Sequence, residues 1–258
     1  MKRDQPTQAD VNKVWENEWK NSEQGGAKAL FGHRLFIEGY PVYRKYIPKD
    51  MRTFLDVGGG TGRYGVKFGQ AFPEAQVFVT DILESSLDVA RRLIAEIGVH
   101  NVLPQKEDAM NMSFSNDSFD VVFCDVVIQH LPDAKNVLRE MRRVLKPGGV
   151  LIVSVNNAWN PHMVFKFLSG KAYQYGYEKS YTRKELRSLF LENQLNVVAL
   201  DGFYPAYGVY RLKTRWKSAA IIGKILNRLN RIIDPWTGRF FSRYFGFEIF
   251  CVAQKSTR

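Results

Sequence analysis

The chain has 258 residues, 45% of them apolar and 24% charged, an ordinary globular composition that makes a real core available and suffices for one large α/β domain with elaborations. Two cysteines, Cys124 and Cys251, and four scattered histidines give neither a disulfide framework nor metal-ligand spacing, so buried reduced thiols and no metal are expected. The net charge of +11 is local: 20 basic and 20 acidic residues precede position 156, and 17 basic face 6 acidic ones after it, an asymmetry that bears on partners rather than on fold.

The opening MKRDQPTQADVNK lacks an apolar signal core, and no apolar run is long enough to span a bilayer, so a cytoplasmic location is expected. Residues 1–50, with Trp15, Trp19, Phe31, Phe36, Tyr40 and Tyr43, read as helices capping a core. From Thr53 the chain alternates. TFLDV, QVFVTD, NVLPQKED, SFDVVFCDVV and GGVLIVSVN read as strands. RYGVKFGQAF, ESSLDVARRLIAEIG and DAKNVLREMRRVL read as the helices between them, Gly98 and KPGG stopping the last two. Such βαβα alternation predicts a parallel sheet covered on both faces. After Asn156 the rhythm breaks: an aromatic segment (156–181), a helix TRKELRSLFLENQ capped by Thr182 and Glu185, a strand LNVVALDGF, an aromatic and basic insertion (203–244), and a final strand in FGFEIFCVAQK. The organisation expected is a cap (1–50), a core (51–155) and the remainder of the same domain carrying two insertions (156–258).

The glycine-rich FLDVGGGTGRYG, Phe54 to Gly65, sits between a strand and a helix, where a backbone free of side chains suits a nucleoside-bearing ligand at the carboxyl edge of a parallel sheet. Gly60, Gly62 and Gly65 satisfy the G-x-G-x-x-G spacing, and Asp81 closes the second strand, where an acid can bond both ribose hydroxyls. These features alone do not separate a dinucleotide from S-adenosylmethionine.

Taken together, LDVGGGTG, VTD, EDAMNMSFSNDSFDVVFCDVVIQHLPD and VLKPGGVLIVS resemble the class I S-adenosylmethionine-dependent methyltransferases, and within them the branch of ubiquinone and menaquinone biosynthesis. The resemblance spans about residues 50–155. It implies a seven-stranded, mostly parallel Rossmann-like methyltransferase sheet of order 3-2-1-4-5-7-6, with helices on both faces and the last strand (about 245–254) antiparallel. It also implies S-adenosylmethionine as co-substrate. Gly58 and Gly60 would approach the methionine moiety, with Asp56 opening the loop. Asp81 would grip the ribose and Ile82 pack by the adenine. Asp108 and the Ala109–Met110 main chain would read the adenine edge. Asp125 and Val126 would line the methionine side and face the acceptor. Gly59 departs from the Cys or Ala common in the family.

Methyl transfer from a sulfonium requires in-line placement of the acceptor, and a base if the acceptor is a hydroxyl. His130, in QHLPD, is the candidate base; packing against the following loop is its alternative role. Gln129, His162 and Tyr181 complete the candidate acceptor contacts. The expected reaction is O-methylation of a hydrophobic or lipid-linked small molecule. A nucleic-acid-modifying methyltransferase such as a tRNA enzyme, and a silent donor-binding module, are the contrasting readings.

Residues 212–233, LKTRWKSAAIIGKILNRLNRII, predict a helix. At 100° per residue Lys213, Lys217, Lys224, Arg228 and Arg231 share one arc and Ile221, Ile222, Ile225, Leu226, Leu229, Ile232 and Ile233 the opposing one, with Arg215 off the pattern. One reading has this helix cover the sheet or the acceptor pocket, its basic face in water. Another makes 211–244 a peripheral membrane contact. Nucleic acid is the third.

Overall fold

A computed structural model of the chain describes residues 8–21, 26–168, 177–212, 216 and 218–257. Three helices come first, α1 (Gln8–Asn21), α2 (Gly26–Gly32) and α3 (Arg34–Arg44). The alternating part follows as β1 (Thr53–Val57), α4 (Arg63–Ala71), β2 (Gln76–Asp81), α5 (Glu84–Ile97), β3 (Val102–Lys106), β4 (Phe119–Asp125), α6 (Ala134–Val144) and β5 (Leu145–Asn156). The remainder gives α7 (Pro161–Leu168), α8 (Arg183–Glu192), β6 (Leu195–Phe203), α9 (Ala206–Arg211), α10 (Ser218–Ile233), α11 (Phe240–Phe245) and β7 (Glu248–Lys255).

The strands form one sheet in the order β3-β2-β1-β4-β5-β7-β6. β1 to β5 run parallel, and β7 lies antiparallel between β5 and β6. Apolar residues at successive strand positions serve opposite faces. Phe54, Val121, Phe123, Ile152 and Phe250 join Tyr43, Tyr64, Phe68 and Leu93 from α3, α4 and α5 in one core. Leu55, Val122, Cys124, Leu151 and Cys251 join Leu138, Met141, Leu186 and Phe190 from α6 and α8 in the other. Both faces are therefore covered, as near-continuous apolar strands require. Both cysteines are free and buried.

The helix signals act where the sequence puts them. Asp133 caps α6 by accepting from Asn136 N, Thr182 and Glu185 form the capping box of α8, and Gly98 ends α5 at φ 74°. KPGG behaves differently. The chain passes from α6 straight into β5 at Leu145, which pairs with Phe119, and the register shifts between Phe119 and Val121. The turn is thus a bulge inside the strand rather than a separate loop.

The expected helix over 212–233 is described as α10 from Ser218; Lys213, Arg215 and Lys217 lie outside the described residues, as does the middle of the 156–181 insertion. Its orientation corrects the reading in which it covers the sheet. Ala219 and Gly223 are its buried residues, and the isoleucines and leucines of the apolar arc are exposed. Small side chains let α10 approach α9 closely, so the narrow arc between the apolar and basic ones is the arc that packs. Asn227 and Asn230 look onto a cavity of about 190 Å³ that also meets Val42, Phe203 and Asp234.

Candidate functional site

Parallel order brings the carboxyl ends of β3, β2, β1 and β4 side by side, and every donor-side residue singled out in the sequence lies at one of them. After β1, Gly58, Gly60 and Gly62 have φ of 63°, 55° and 73°, the left-handed region that glycine enters without penalty. The loop is fixed from the adjoining strand. Gly59 N donates to Thr80 O at 2.8 Å, and Gly60 N donates to Asp81 Oδ2 at 3.1 Å. Asp81 Oδ1 accepts from Leu83 N at 2.9 Å. Both Asp81 oxygens thus receive a backbone N–H; burial raises its pKa, while these bonds, with the Ser86 hydroxyl and the Ile82 N–H, favour the carboxylate.

Asp56 lies beneath the loop, 1% exposed. Its Oδ2 accepts from Gly65 N at 3.0 Å, satisfying a donor in the first turn of α4. A side chain at Gly59 would place Cβ 2.8 Å from this carboxyl group. A substitution at position 59 would require the Asp56 carboxyl group or the loop to shift. Burial and the nearby charge of Asp125 raise the Asp56 pKa to about 7.

Asp108 is exposed after β3 and accepts from Met110 N at 2.9 Å, turning the Ala109–Met110 segment. Buried Glu107, which the sequence reading missed, braces the same loop. It accepts from Ser113 N at 2.8 Å and from the Ser113 hydroxyl, and Glu107 N donates to Asp81 O at 3.0 Å. Ile82 is half-buried beside Asp81.

A second group missed in the sequence surrounds Asp125. Ser154 Oγ and Tyr43 Oη donate to its Oδ1 at 2.6 and 3.0 Å, and Arg63 pairs with Oδ2 at 3.4 Å. Glu248 Oε2 lies 3.4 Å from Tyr43 Oη. Burial and Asp125 hold the Glu248 carboxyl well above the ordinary carboxylate range. The next residue, Val126, has φ 60°, a strained conformation for a β-branched side chain. Both the carbonyl and the hydroxyl of Ser154 accept from its N–H, at 3.2 and 3.1 Å. Strain of this kind concentrates at functional positions.

The acceptor-side candidates divide. Gln129 and His130 are buried together. Gln129 Oε1 accepts from Asn156 N at 2.7 Å, and its Nε2 lies 3.2 Å from His130 Nε2. His130 Nδ1 is 3.0 Å from the Tyr177 carbonyl, which can only accept, so Nδ1 carries the proton and Nε2 the lone pair. Burial lowers the His130 pKa and keeps the ring neutral near pH 7. Trp15 of α1 packs edge-on against it at 5.1 Å, and the ion pair of Lys166 with Glu178 at 2.9 Å lies just behind, Asn156 Nδ2 donating to Glu178 Oε1. Tyr181 instead belongs to the core: its N–H donates to Asn156 O, Lys179 stands over its ring at 4.5 Å, and burial raises its hydroxyl to about 12. His162 lies in the first turn of α7, its ring 6.3 Å from Phe247.

Among the described residues no cluster of His, Cys, Asp and Glu could hold a metal, and no helix is long and apolar enough to cross a membrane.

Residues 54–149 match the family model described as a methyltransferase domain. Demethylmenaquinone methyltransferase of Geobacillus stearothermophilus is 31% identical over 143 residues, 55% of this chain and 61% of that protein. The chain thus spans less than two thirds of the curated relatives it matches. Two solved structures share the fold. A methyltransferase dependent on S-adenosylmethionine from Thermotoga maritima has TM-score 0.63 at 16% identity, covering 95% of this chain and 99% of its own. Phosphoethanolamine N-methyltransferase 2 of Haemonchus contortus, in complex with S-adenosylmethionine, has TM-score 0.64 at 19% identity, covering 93% and 60%.

Proposed function

We propose that the chain, whose residues 54–149 match a methyltransferase domain, is a class I S-adenosylmethionine-dependent enzyme that transfers a methyl group to an oxygen of a hydrophobic or lipid-linked small molecule. The observation that carries this reading is the convergence at one sheet edge of a left-handed glycine loop with Asp81, the carboxylate that already holds that loop. The sulfonium co-substrate supplies an activated methyl group. The chain supplies placement, which contributes ~7–11 kcal/mol when reacting atoms are held in line.

In this reading Gly58 and Gly60 meet the methionine moiety and the Asp81 lone pairs take the ribose hydroxyls. Ile82, Asp108 and the Ala109–Met110 main chain read the adenine, and Asp125 with Val126 bounds the methionine side. Left-handed glycines, an acid closing β2 and an exposed acid after β3 fit that group. Trp15 closes the edge over His130. A hydroxyl acceptor must lose its proton, and His130 Nε2 is the basic nitrogen at hand; Gln129 engages it, so the acceptor displaces that amide. A relative named for demethylmenaquinone supports a hydrophobic acceptor.

The test supplies the chain with isotopically labelled donor and a lipid extract. S-adenosylhomocysteine should form, together with a labelled product whose methyl ¹³C shift marks attachment to oxygen. Donor binding by calorimetry without S-adenosylhomocysteine from any extract would leave a silent binding module; activity destroyed by nuclease would make the acceptor a nucleic acid. His130→Gln should slow turnover by about 10²–10⁴-fold if the ring is the base. Turnover within about threefold of the parent at every pH restricts His130 to packing.

A further inference from the structure

The α10 helix presents to water the side chains that a packed helix would hide. Ile221 is 63%, Ile225 54% and Ile232 61% exposed, whereas Ala219 and Gly223 face the body. The apolar surface continues past both ends of the helix. Trp216 packs on Phe165 at 5.7 Å, next to the exposed end of α7 at Phe167, and Trp236, 89% exposed, follows the last turn. An apolar patch of this extent on a protein surface marks an interface.

We propose that α10 and its flanking tryptophans form a docking surface for an anionic lipid bilayer, with the helix lying in the plane of the headgroups. Three observations select this occupant. Lys224 and Arg228 lie exposed in an arc beside the apolar one on the same helix, with Arg231, paired to Glu38, at its end, the pairing by which a surface helix inserts one side among acyl chains and meets anionic headgroups with the other. The chain's whole excess of positive charge lies in its C-terminal part, which complements an anionic surface and opposes a second copy, because a two-fold contact sets like charges against one another. The helix is not long and apolar enough to cross a membrane. A nucleic acid would leave the apolar arc in water. This inference stands independently of the methyl-transfer reading.

The experiment is flotation of the full chain with vesicles of phosphatidylcholine alone and of phosphatidylcholine with phosphatidylglycerol. Recovery should require the anionic lipid and fall as salt screens the basic arc. Ile225→Asp with Leu229→Asp should lower the bound fraction about tenfold or more with an unchanged melting temperature, since both side chains are exposed in the folded chain. Lys224→Glu with Arg228→Glu should also abolish the preference for anionic vesicles. No flotation with either vesicle, or flotation indifferent to the aspartates, overturns the proposal. A concentration-dependent dimer that the aspartates dissolve also overturns it, in favour of a second copy.

Discussion

The donor edge and the α10 face each hold groups in surroundings that cost free energy, and they hold them in opposite ways. At the edge, acids are buried and nearly every polar atom around them has a protein partner: Asp56 with Gly65, Asp81 with Gly60 and Leu83, Asp125 with Tyr43, Ser154 and Arg63. On α10, apolar side chains stand in water while the helix rests on Ala219 and Gly223. Folding stability is therefore tied to the edge through protonation, whereas the apolar arc of α10 can change with little effect on the folded state.

The largest effect expected is the pH dependence set by Asp56, held at about 7 against an ordinary 3.8. The unfolded chain ionises this group at the ordinary value. Between roughly pH 4 and 7 the unfolded state thus binds fewer protons, so stability falls as pH rises through that window and levels above it. The full contribution is on the order of 4 kcal/mol, at about 1.36 kcal/mol per pH unit. Urea unfolding of Asp56→Asn and parent across this window should show the variant gaining on the parent as pH rises; a constant difference would break the link between edge and protonation.

The contrast sharpens with matched truncations. Leu138→Ala, fully buried in α6, should cost about 2–5 kcal/mol, and Leu229→Ala on α10 less than about 0.5 kcal/mol. Equal losses in chemical denaturation would mean that the α10 face is packed after all. Smaller than the Leu138 loss is the effect of Asp81→Asn on donor affinity. Calorimetry should show S-adenosylhomocysteine binding about tenfold to a hundredfold weaker, or about 1.4–2.8 kcal/mol. Unchanged affinity would remove Asp81 from the ribose.

Much of the edge was legible because its parts are local in sequence. A strand, a glycine turn and a closing acid fall within a few residues of one another, and the order of such segments fixes which strand ends adjoin. The ring of partners around Asp125 was not legible, because Tyr43, Arg63, Ser154 and Glu248 come from α3, α4, β5 and β7 and meet only when the sheet is assembled. Glu107 escaped notice for a different reason: beside Asp108 in the quoted motif, it is the member turned inward. On α10 the wheel separated apolar from basic correctly, but amphipathy does not say which arc packs. There the decision fell to side-chain size, since Ala219 and Gly223 permit the close approach that isoleucine prevents.

Because β7 slides in between β5 and β6 and carries Glu248 to the Tyr43 hydroxyl, the edge begun at β1 is finished by a strand synthesised long after it. On the ribosome, β1 to β4 emerge with Asp125 and Tyr43 still lacking that neighbour. Protease protection of stalled nascent chains is thus a measure of when the last strand enters and the sheet is zipped shut.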